Sequence, residues 1–357
     1  MNPASKAERY LNYSFVGLTF FDLFRPYESH SVEFQICSLL LCGFIWWHAI
    51  HEYSKKSPHK LYQVLLYGII FCCVIIASHQ LVGSPLVSLA EKTGRNRALI
   101  FSIVSMTLSI ALWPAVYKQS LWKITFLCGT IITIIPLLEC DTAILGVLFG
   151  FAAYLLASIQ SKSFWRFIQI KIVIICLTLP FFFNTFLTDE RIHSINKIIP
   201  IHSYIHRLYI WQYISKKIME RPLIGFGVNA VSQDAIGGTI ITKPFYKDFK
   251  NGKGVLSSPI TSKQIPSHPH NAILQWWLEM GFFGALWWAA LLVFLIEKIR
   301  KSPLDERKVS FAFFSSNAMI FLFSIGFWQS WWWATWLFLL PLITHSKEKE
   351  SIHSKQK

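Results

Sequence analysis

The stretch SHPHNAILQWWLEMGFFGALWWAALLVFLI, residues 267–296, places a short polar segment directly before a long apolar one. Pro269 ends any preceding helix, because proline lacks a backbone N–H and clashes with the previous turn. A new helix is therefore predicted to begin near His270 and Asn271. Since about 20 apolar residues are enough to cross a bilayer, the stretch predicts a membrane-spanning helix with a histidine at its entrance.

Three polar side chains interrupt the apolar surface of this predicted helix. Asn271, Gln275 and Glu279 recur every four residues and so share one helical face. Such a stripe is costly against lipid and is predicted to face the protein interior or a wet cavity, where an ionisable side chain is by default a candidate functional residue. Gly281 and Gly284 are predicted to allow close approach of a neighbouring helix on another face.

The rest of the chain is also built of apolar blocks. Of its 357 residues 53% are hydrophobic and only 15% are charged, against about 25% in a soluble globular protein. The composition excludes a soluble, disordered or fibrous chain and predicts an all-α polytopic membrane protein of about ten transmembrane helices. The predicted spans lie at 10–24, 33–52, 62–82, 98–117, 121–139, 142–160, 166–187, 272–296, 309–328 and 330–345.

Charge orients these spans. Lys and Arg number 34 against 19 Asp and Glu, for a net charge of +15. An excess of Lys and Arg marks cytoplasmic connectors, and the short connectors alternate when both termini are cytoplasmic, although the connector EKTGRNR (91–97) on the opposite face is also basic. The predicted organisation is N-terminal spans at 1–187, a periplasmic loop at 188–270, C-terminal spans at 271–345 and a cytoplasmic tail at 346–357.

The predicted periplasmic loop is basic. Its charge suits a phosphate-bearing ligand, although a merely solvated loop is the alternative. Within it 203–219 is predicted to be a helix, Pro222 and the following glycines break that helix, and 236–267 is predicted to be irregular. Nothing in the pattern indicates a nucleic-acid partner.

His270 is the leading candidate for proton transfer, because histidine titrates near neutral pH. A structural or capping histidine, or half of a metal pair with His268, are the alternatives. Trp211 and the other tryptophans fit interfacial belts, and stacking of Trp211 on a sugar ring is a further alternative.

Several residues now resemble a known family. His270-Asn271, nine residues, Gly281, two residues and Gly284 reproduce the H[NSQ]-x9-G-x-x-G motif of the bacterial O-antigen ligase and Wzy-type polymerase superfamily. Upstream, the segment from Arg207 to Trp211 and the later PLIGFG (222–227) resemble that family's R…W…P-L-x-G-x-G segment. The resemblance is specific over about 205–290 and less sharp elsewhere.

This resemblance implies a metal-independent, inverting membrane glycosyltransferase of GT-C type without a cofactor. Its donor would be an undecaprenyl-diphosphate-linked glycan, and its acceptor a sugar hydroxyl of lipid A-core in lipopolysaccharide biosynthesis. The site would face the periplasm at the bacterial inner membrane, among membrane lipids. Polymerase or protein O-oligosaccharyltransferase activity remains open within the class, and transport of a lipid-linked sugar remains open outside it.

The resemblance also carries roles to individual residues. It assigns acceptor activation to His270 and diphosphate binding to Arg207. Further substrate-binding candidates are Arg221, Asn271, Gln275, Glu279 and Trp211.

One position departs from the family pattern. Where the family commonly has a Ser-Arg pair opening a middle helix, this chain has Cys140-Asp141. Arg97 and Arg95 are the leading replacements for the missing arginine. Asp141 is expected either to orient an arginine or share proton handling with His270, or simply to cap its helix.

Overall fold

The computed structural model describes 58–82, 97–138, 140–232, 234–238, 240–250, 253–256, 259–265 and 268–344. Within these residues the chain is mostly helical, which confirms an α-helical membrane protein at the coarse level. The predicted spans 10–24 and 33–52, the connector carrying Arg95 and the predicted tail lie outside them.

Among the described residues, five helices precede the predicted loop, and each coincides with an apolar block of the sequence. They are α1 (Pro58–Val82), α2 (Arg97–Ala115), α3 (Leu121–Ile134), α4 (Asp141–Leu156) and α5 (Lys162–Phe186). A 3-10 turn at Ile135–Leu138 extends α3. The helix α4 begins after Cys140, so Asp141 is its first helical residue rather than its cap, a position where a carboxylate is favoured by the helix dipole.

The loop region adds α6 (Asp189–Ile198) and α7 (His202–Ile218), and three long helices follow it. These are α8 (Ala272–Lys301), α9 (Leu304–Phe323) and α10 (Ser330–Thr344). The helix predicted at 203–219 is confirmed. Among the described residues, three helical stretches are long and apolar enough to cross a membrane, namely 121–138, 162–186 and 272–301.

The prediction of an irregular segment at 236–267 was wrong. Four short strands occur there: β1 (Ile240–Lys243), β2 (Tyr246–Lys250), β3 (Lys253–Leu256) and β4 (Ile260–Lys263). β1 pairs antiparallel with β4, and β2 pairs antiparallel with β3. The β2–β3 pair therefore lies between β1 and β4 in the sequence. The β-branched residues in β1 and β4 favour this extended conformation.

The described chain divides into two compact units. The first contains 58–159, 299–320 and 329–344, and the second contains 160–298 and 321–328. In the first unit the Trp113 indole lies where a side chain on Gly150 would be, so a glycine is required there. All residues described below as the candidate site belong to the second unit.

Candidate active site

The backbone at 268–271 turns sharply into α8. His270 has a φ of 55°, a left-handed conformation that is uncommon for a residue other than glycine. The Trp211 indole N–H donates to the Pro269 carbonyl at 3.0 Å, and the Asn271 side chain accepts from the Leu274 N–H at 3.1 Å. Asn271 is therefore the N-cap of α8, and the turn that presents His270 is held on both sides.

Two histidines converge on one carbonyl oxygen. His270 Nδ1 lies 2.9 Å and His268 Nε2 lies 3.0 Å from the backbone oxygen of Ser324, and the two ring centroids are 4.1 Å apart. A carbonyl oxygen can only accept, so both of these nitrogens carry the hydrogen. In neutral His270 the other nitrogen, Nε2, then has a free lone pair and can act as a base.

The surroundings of this pair keep it neutral. Burial lowers the pKa of His270 well below its usual value, and the neighbouring His268 and the Arg207 charge lower it further, while the Ser324 carbonyl opposes them. Burial is also the largest cause of the lowered pKa of His268; the Ser324 carbonyl opposes it, and the Arg207 charge adds to it. A neutral His270 with an available Nε2 is the protonation state that a general base requires.

Arg207 supplies positive charge beside the histidines. It projects from α7, is partly buried, and its guanidinium lies 5.9 Å from the centre of the Tyr204 ring. Its charge contributes to the lowered pKa of both His268 and His270. The structure thus brings together the two residues that the sequence singled out as catalytic.

Arg221 lies on the exposed surface beyond the end of α7. Its guanidinium stacks 5.0 Å from the centre of the Phe226 ring, and the residue is exposed. It is accessible to an anionic group, although no described contact joins it to His270.

The predicted polar stripe of α8 is buried, as expected of a face turned to the protein interior. Gln275 donates to the Glu279 carboxylate at 3.0 Å and accepts from the Phe327 backbone N–H at 2.8 Å. The Trp328 indole N–H donates to the other carboxylate oxygen of Glu279 at 2.5 Å. Gln275 and Glu279 are only 3% and 1% exposed, so they fasten the 324–329 connector to α8.

Gly281 marks a break inside α8. Its φ of 62° and ψ of −158° lie outside the helical region, and the PLIGFG segment (222–227) enters the gap. Four backbone hydrogen bonds join this segment to residues 278–283 of α8, and together they are called the glycine clamp. They run from Phe226 N to Leu278 O (2.8 Å), Gly227 N to Glu279 O (2.9 Å), Phe282 N to Pro222 O (2.8 Å) and Phe283 N to Leu223 O (3.5 Å).

The glycine clamp explains why its motif is glycine-rich. A Cβ on Gly281 would lie 2.5 Å from the Ile224 nitrogen, and a Cβ on Gly225 would lie 2.5 Å from the Glu279 carbonyl carbon. Both glycines also have positive φ. The prediction that Gly281 admits a neighbouring helix was wrong, because the segment that approaches it is this irregular loop, while a Cβ on Gly284 would meet the Met280 side chain of the same helix.

Trp211 has no free face in this arrangement. It is 7% exposed, its ring stacks on Phe183 with centroids 5.2 Å apart, and its N–H is used by Pro269. Phe323 covers it at a centroid distance of 6.0 Å. These contacts make Trp211 a support for the His270 turn rather than an open platform for a sugar.

The 324–329 connector between α9 and α10 was missed by sequence reasoning, which read 309–328 as one apolar block. It supplies the Ser324 carbonyl, the Phe327 N–H and the Trp328 indole. Gly326 also belongs to it, and a Cβ there would lie 2.7 Å from the His268 Cβ. The available signal was a Ser and a Gly within an aromatic run, SIGFWQ, where a helix is easily ended.

Three predicted substrate ligands are not part of this cluster of described contacts. Arg97 begins α2, and Asp141 begins α4, both in the first unit. Arg95 lies outside the described residues. Their substrate contacts stay predictions.

The fold and the site define a helical membrane protein with a histidine–arginine site in front of a broken apolar helix. The family model described as O-antigen ligase matches residues 124–289, which include every side chain of the histidine–arginine pair and both halves of the glycine clamp. The resemblance to the O-antigen ligase superfamily is therefore confirmed.

Curated relatives agree with the family match. A protein of Rickettsia prowazekii named "putative polysaccharide ligase" is 26% identical over 200 residues, 56% of this chain and 46% of its own length. The Rickettsia conorii protein of the same description is 26% identical over 202 residues, 56% of this chain and 45% of its own. A Rickettsia felis protein with that description is 24% identical over 322 residues, covering 89% of this chain and 75% of its own.

In the first two of these relatives the aligned region spans about half of the relative's length. No solved structure matches the chain.

Proposed function

We propose that this protein is a polysaccharide ligase of the O-antigen ligase type. It would transfer a glycan from undecaprenyl diphosphate to a sugar hydroxyl of lipid A-core, at the periplasmic face of the bacterial inner membrane and with both termini cytoplasmic. The observation that carries the proposal is the hydrogen bond from His270 Nδ1 to the Ser324 carbonyl, because it leaves Nε2 as a base next to an arginine. The family match and the names of the relatives support the class of reaction.

In the proposed reaction the acceptor hydroxyl oxygen attacks the anomeric carbon of the donor sugar, and its proton moves to His270 Nε2. The bond between that carbon and the diphosphate oxygen breaks, and the electron pair leaves with the diphosphate, so the anomeric configuration inverts. The imidazolium that forms is stabilised by the Ser324 carbonyl at the C-terminal end of α9, where the helix dipole is negative.

Arg207 would act on the leaving group. Charge grows on the diphosphate as the sugar departs, so a fixed guanidinium stabilises the transition state more than it stabilises the bound donor. Its planar fork can bind two phosphate oxygens at once. Arg221 is proposed to contact the same anionic donor. Donor binding by Arg95 and Arg97 stays a prediction from the sequence.

The buried residues take a different part in the proposal. Asn271, Gln275, Glu279 and Trp211 each form hydrogen bonds inside the protein. We assign them to holding the His270 turn in place, so that their effect on the substrate is indirect. We assign Asp141 a structural role, in which its carboxylate stabilises the N-terminus of α4.

The test is transfer by the purified full chain in lipid nanodiscs, with a labelled undecaprenyl-diphosphate glycan and lipid A-core. His270→Ala is expected to lower turnover by about 10²–10⁴-fold, the usual contribution of a general base, and Arg207→Ala to lower it as well. His193→Ala and Arg191→Ala are matched controls, because His193 packs edge-on against Tyr246 and Arg191 is exposed in the same unit.

Three results would contradict the proposal. Full transfer by the His270→Ala variant excludes the base, and full transfer by Arg207→Ala excludes the diphosphate contact. Lengthening of the lipid-linked glycan without attachment to lipid A-core would identify a polymerase instead.

A further inference from the structure

The Ser324 carbonyl sits where a helix leaves its last carbonyls without partners. It directly follows α9 (Leu304–Phe323), and the final carbonyls of a helix have no N–H donor within that helix. A carbonyl oxygen has two lone pairs, and here two imidazole N–H groups occupy it. The position of this oxygen is therefore determined from both sides, by His268 as well as by His270.

His268 is held against this oxygen by packing as well as by its hydrogen bond. Its ring centroid is 4.1 Å from that of His270. Gly326, two residues after Ser324, leaves the space that the His268 side chain fills, since a Cβ there would lie 2.7 Å from His268 Cβ and 2.9 Å from Cγ. The same short connector thus provides both the acceptor and the room for its second donor.

We infer that His268 is a positioning residue that holds the Ser324 carbonyl in place and thereby fixes the Nδ1–H tautomer of His270. The inference rests on the proposed function, in which Nε2 of His270 takes the proton of the acceptor. A base must stay aligned with that proton, and displacement by about 1 Å can cost about 100-fold in rate. Gly326 makes this arrangement possible, because it has no side chain in the space that His268 occupies.

Charged and titratable groups near the histidine pair also act on it. Arg207 acts on both rings, and His206, whose Nε2 is 2.9 Å from the Ser262 hydroxyl, acts on His270. These groups disfavour a second positive charge at the pair. The acceptor proton moves to His270 Nε2, whereas the bond to the Ser324 oxygen uses a ring N–H of His268. The bond of His268 to Ser324 therefore persists through the proton transfer.

The experiment uses the full chain in nanodiscs with two readouts. Selective 15N-histidine NMR reports the tautomer of His270, whose signals are identified by their absence in His270→Asn, and the glycan-transfer assay reports kcat and KM. His268→Ala is expected to lower kcat by about 10–100-fold with KM nearly unchanged, and to reduce the Nδ1–H form of His270. His268→Gln keeps an N–H donor and is expected to restore both readouts.

Gly326→Ala tests the same inference with both histidines present, and is expected to reproduce the His268→Ala result. Gly129→Ala is its control, because a Cβ at Gly129 meets no atom within 4 Å. If the His270 tautomer and turnover survive in either His268→Ala or Gly326→Ala, the inference is overturned. If the unaltered protein transfers no glycan, the proposed function fails, while the NMR readout still decides the role of His268.

Discussion

Replacing Gly281 by alanine should open the glycine clamp and destabilise the protein strongly. The backbone at Gly281, with φ 62° and ψ −158°, lies in a region that is essentially restricted to glycine and costs an alanine about 1–3 kcal/mol. The new methyl would lie 2.5 Å from the Ile224 nitrogen, a backbone atom that cannot turn aside as a side chain can. Moving that segment removes the adjacent bonds from Phe282 and Phe283, each worth about 1 kcal/mol.

The expected loss for Gly281→Ala is thus about 3–5 kcal/mol in the free energy of unfolding. Gly129→Ala is the matched control, since Gly129 lies inside α3 and a Cβ there meets no atom within 4 Å, so the change is expected to stabilise the protein by about 0.5–1 kcal/mol. Thermal unfolding in a mild detergent, followed by tryptophan fluorescence, measures both variants. Gly225→Ala opens the same clamp, so the double variant should lose less than the sum of the two single losses.

The reasoning fails if Gly281→Ala unfolds at the same temperature as Gly129→Ala or above it. It also fails in part if the losses of Gly225→Ala and Gly281→Ala are additive, because two changes that break one set of bonds cannot each remove the full contribution.

Three further outcomes are expected. Glu279→Ala should lower the free energy of unfolding by about 1–3 kcal/mol, because it leaves the part-buried Trp328 indole N–H and the buried Gln275 amide without their acceptor. Glu279→Gln keeps an acceptor, and equal losses in thermal unfolding would argue against this. Asn271→Ala should cost about 1 kcal/mol and Asn271→Asp much less, as for any N-cap, with the reverse order excluding the cap. A histidine in the unfolded chain has a pKa of about 6.5, and the pKa values of His268 and His270 in the folded protein are lower. Below about pH 6.5 the unfolded chain therefore binds more protons than the folded protein. Stability should be complete above that pH and decline as the pH falls toward the folded pKa values, and a His268→Gln, His270→Gln variant should flatten that decline in pH-dependent unfolding.

Much of the helical framework could be predicted because hydropathy alone determines it. The eight apolar blocks from 62 onward each coincide with a helix, and the amphipathic segment at 203–219 does so as well. The short strands could not be predicted in the same way. Strands of four or five residues carry little periodicity, and β1 finds its partner β4 about 20 residues further along the chain.

Those parts of the candidate site that consist of side chains could be predicted from the sequence. His270 and Arg207 stand out by residue type, spacing and resemblance. The Ser324 carbonyl did not, because a backbone oxygen leaves no signal in the sequence. The break at Gly281 was likewise hidden, since a glycine in an apolar run reads as a helix residue until its φ is known.

The glycine clamp also has a consequence for how such proteins can diversify. It joins residues 222–227 to 278–283, so residues 228–267 belong to a long loop whose two ends are held together. The entropic cost of closing a loop rises little with its length, by about 0.6 kcal/mol for each doubling. We expect this loop to accept insertions and deletions that change the surface around an acceptor, while the glycine clamp and His270 keep their geometry.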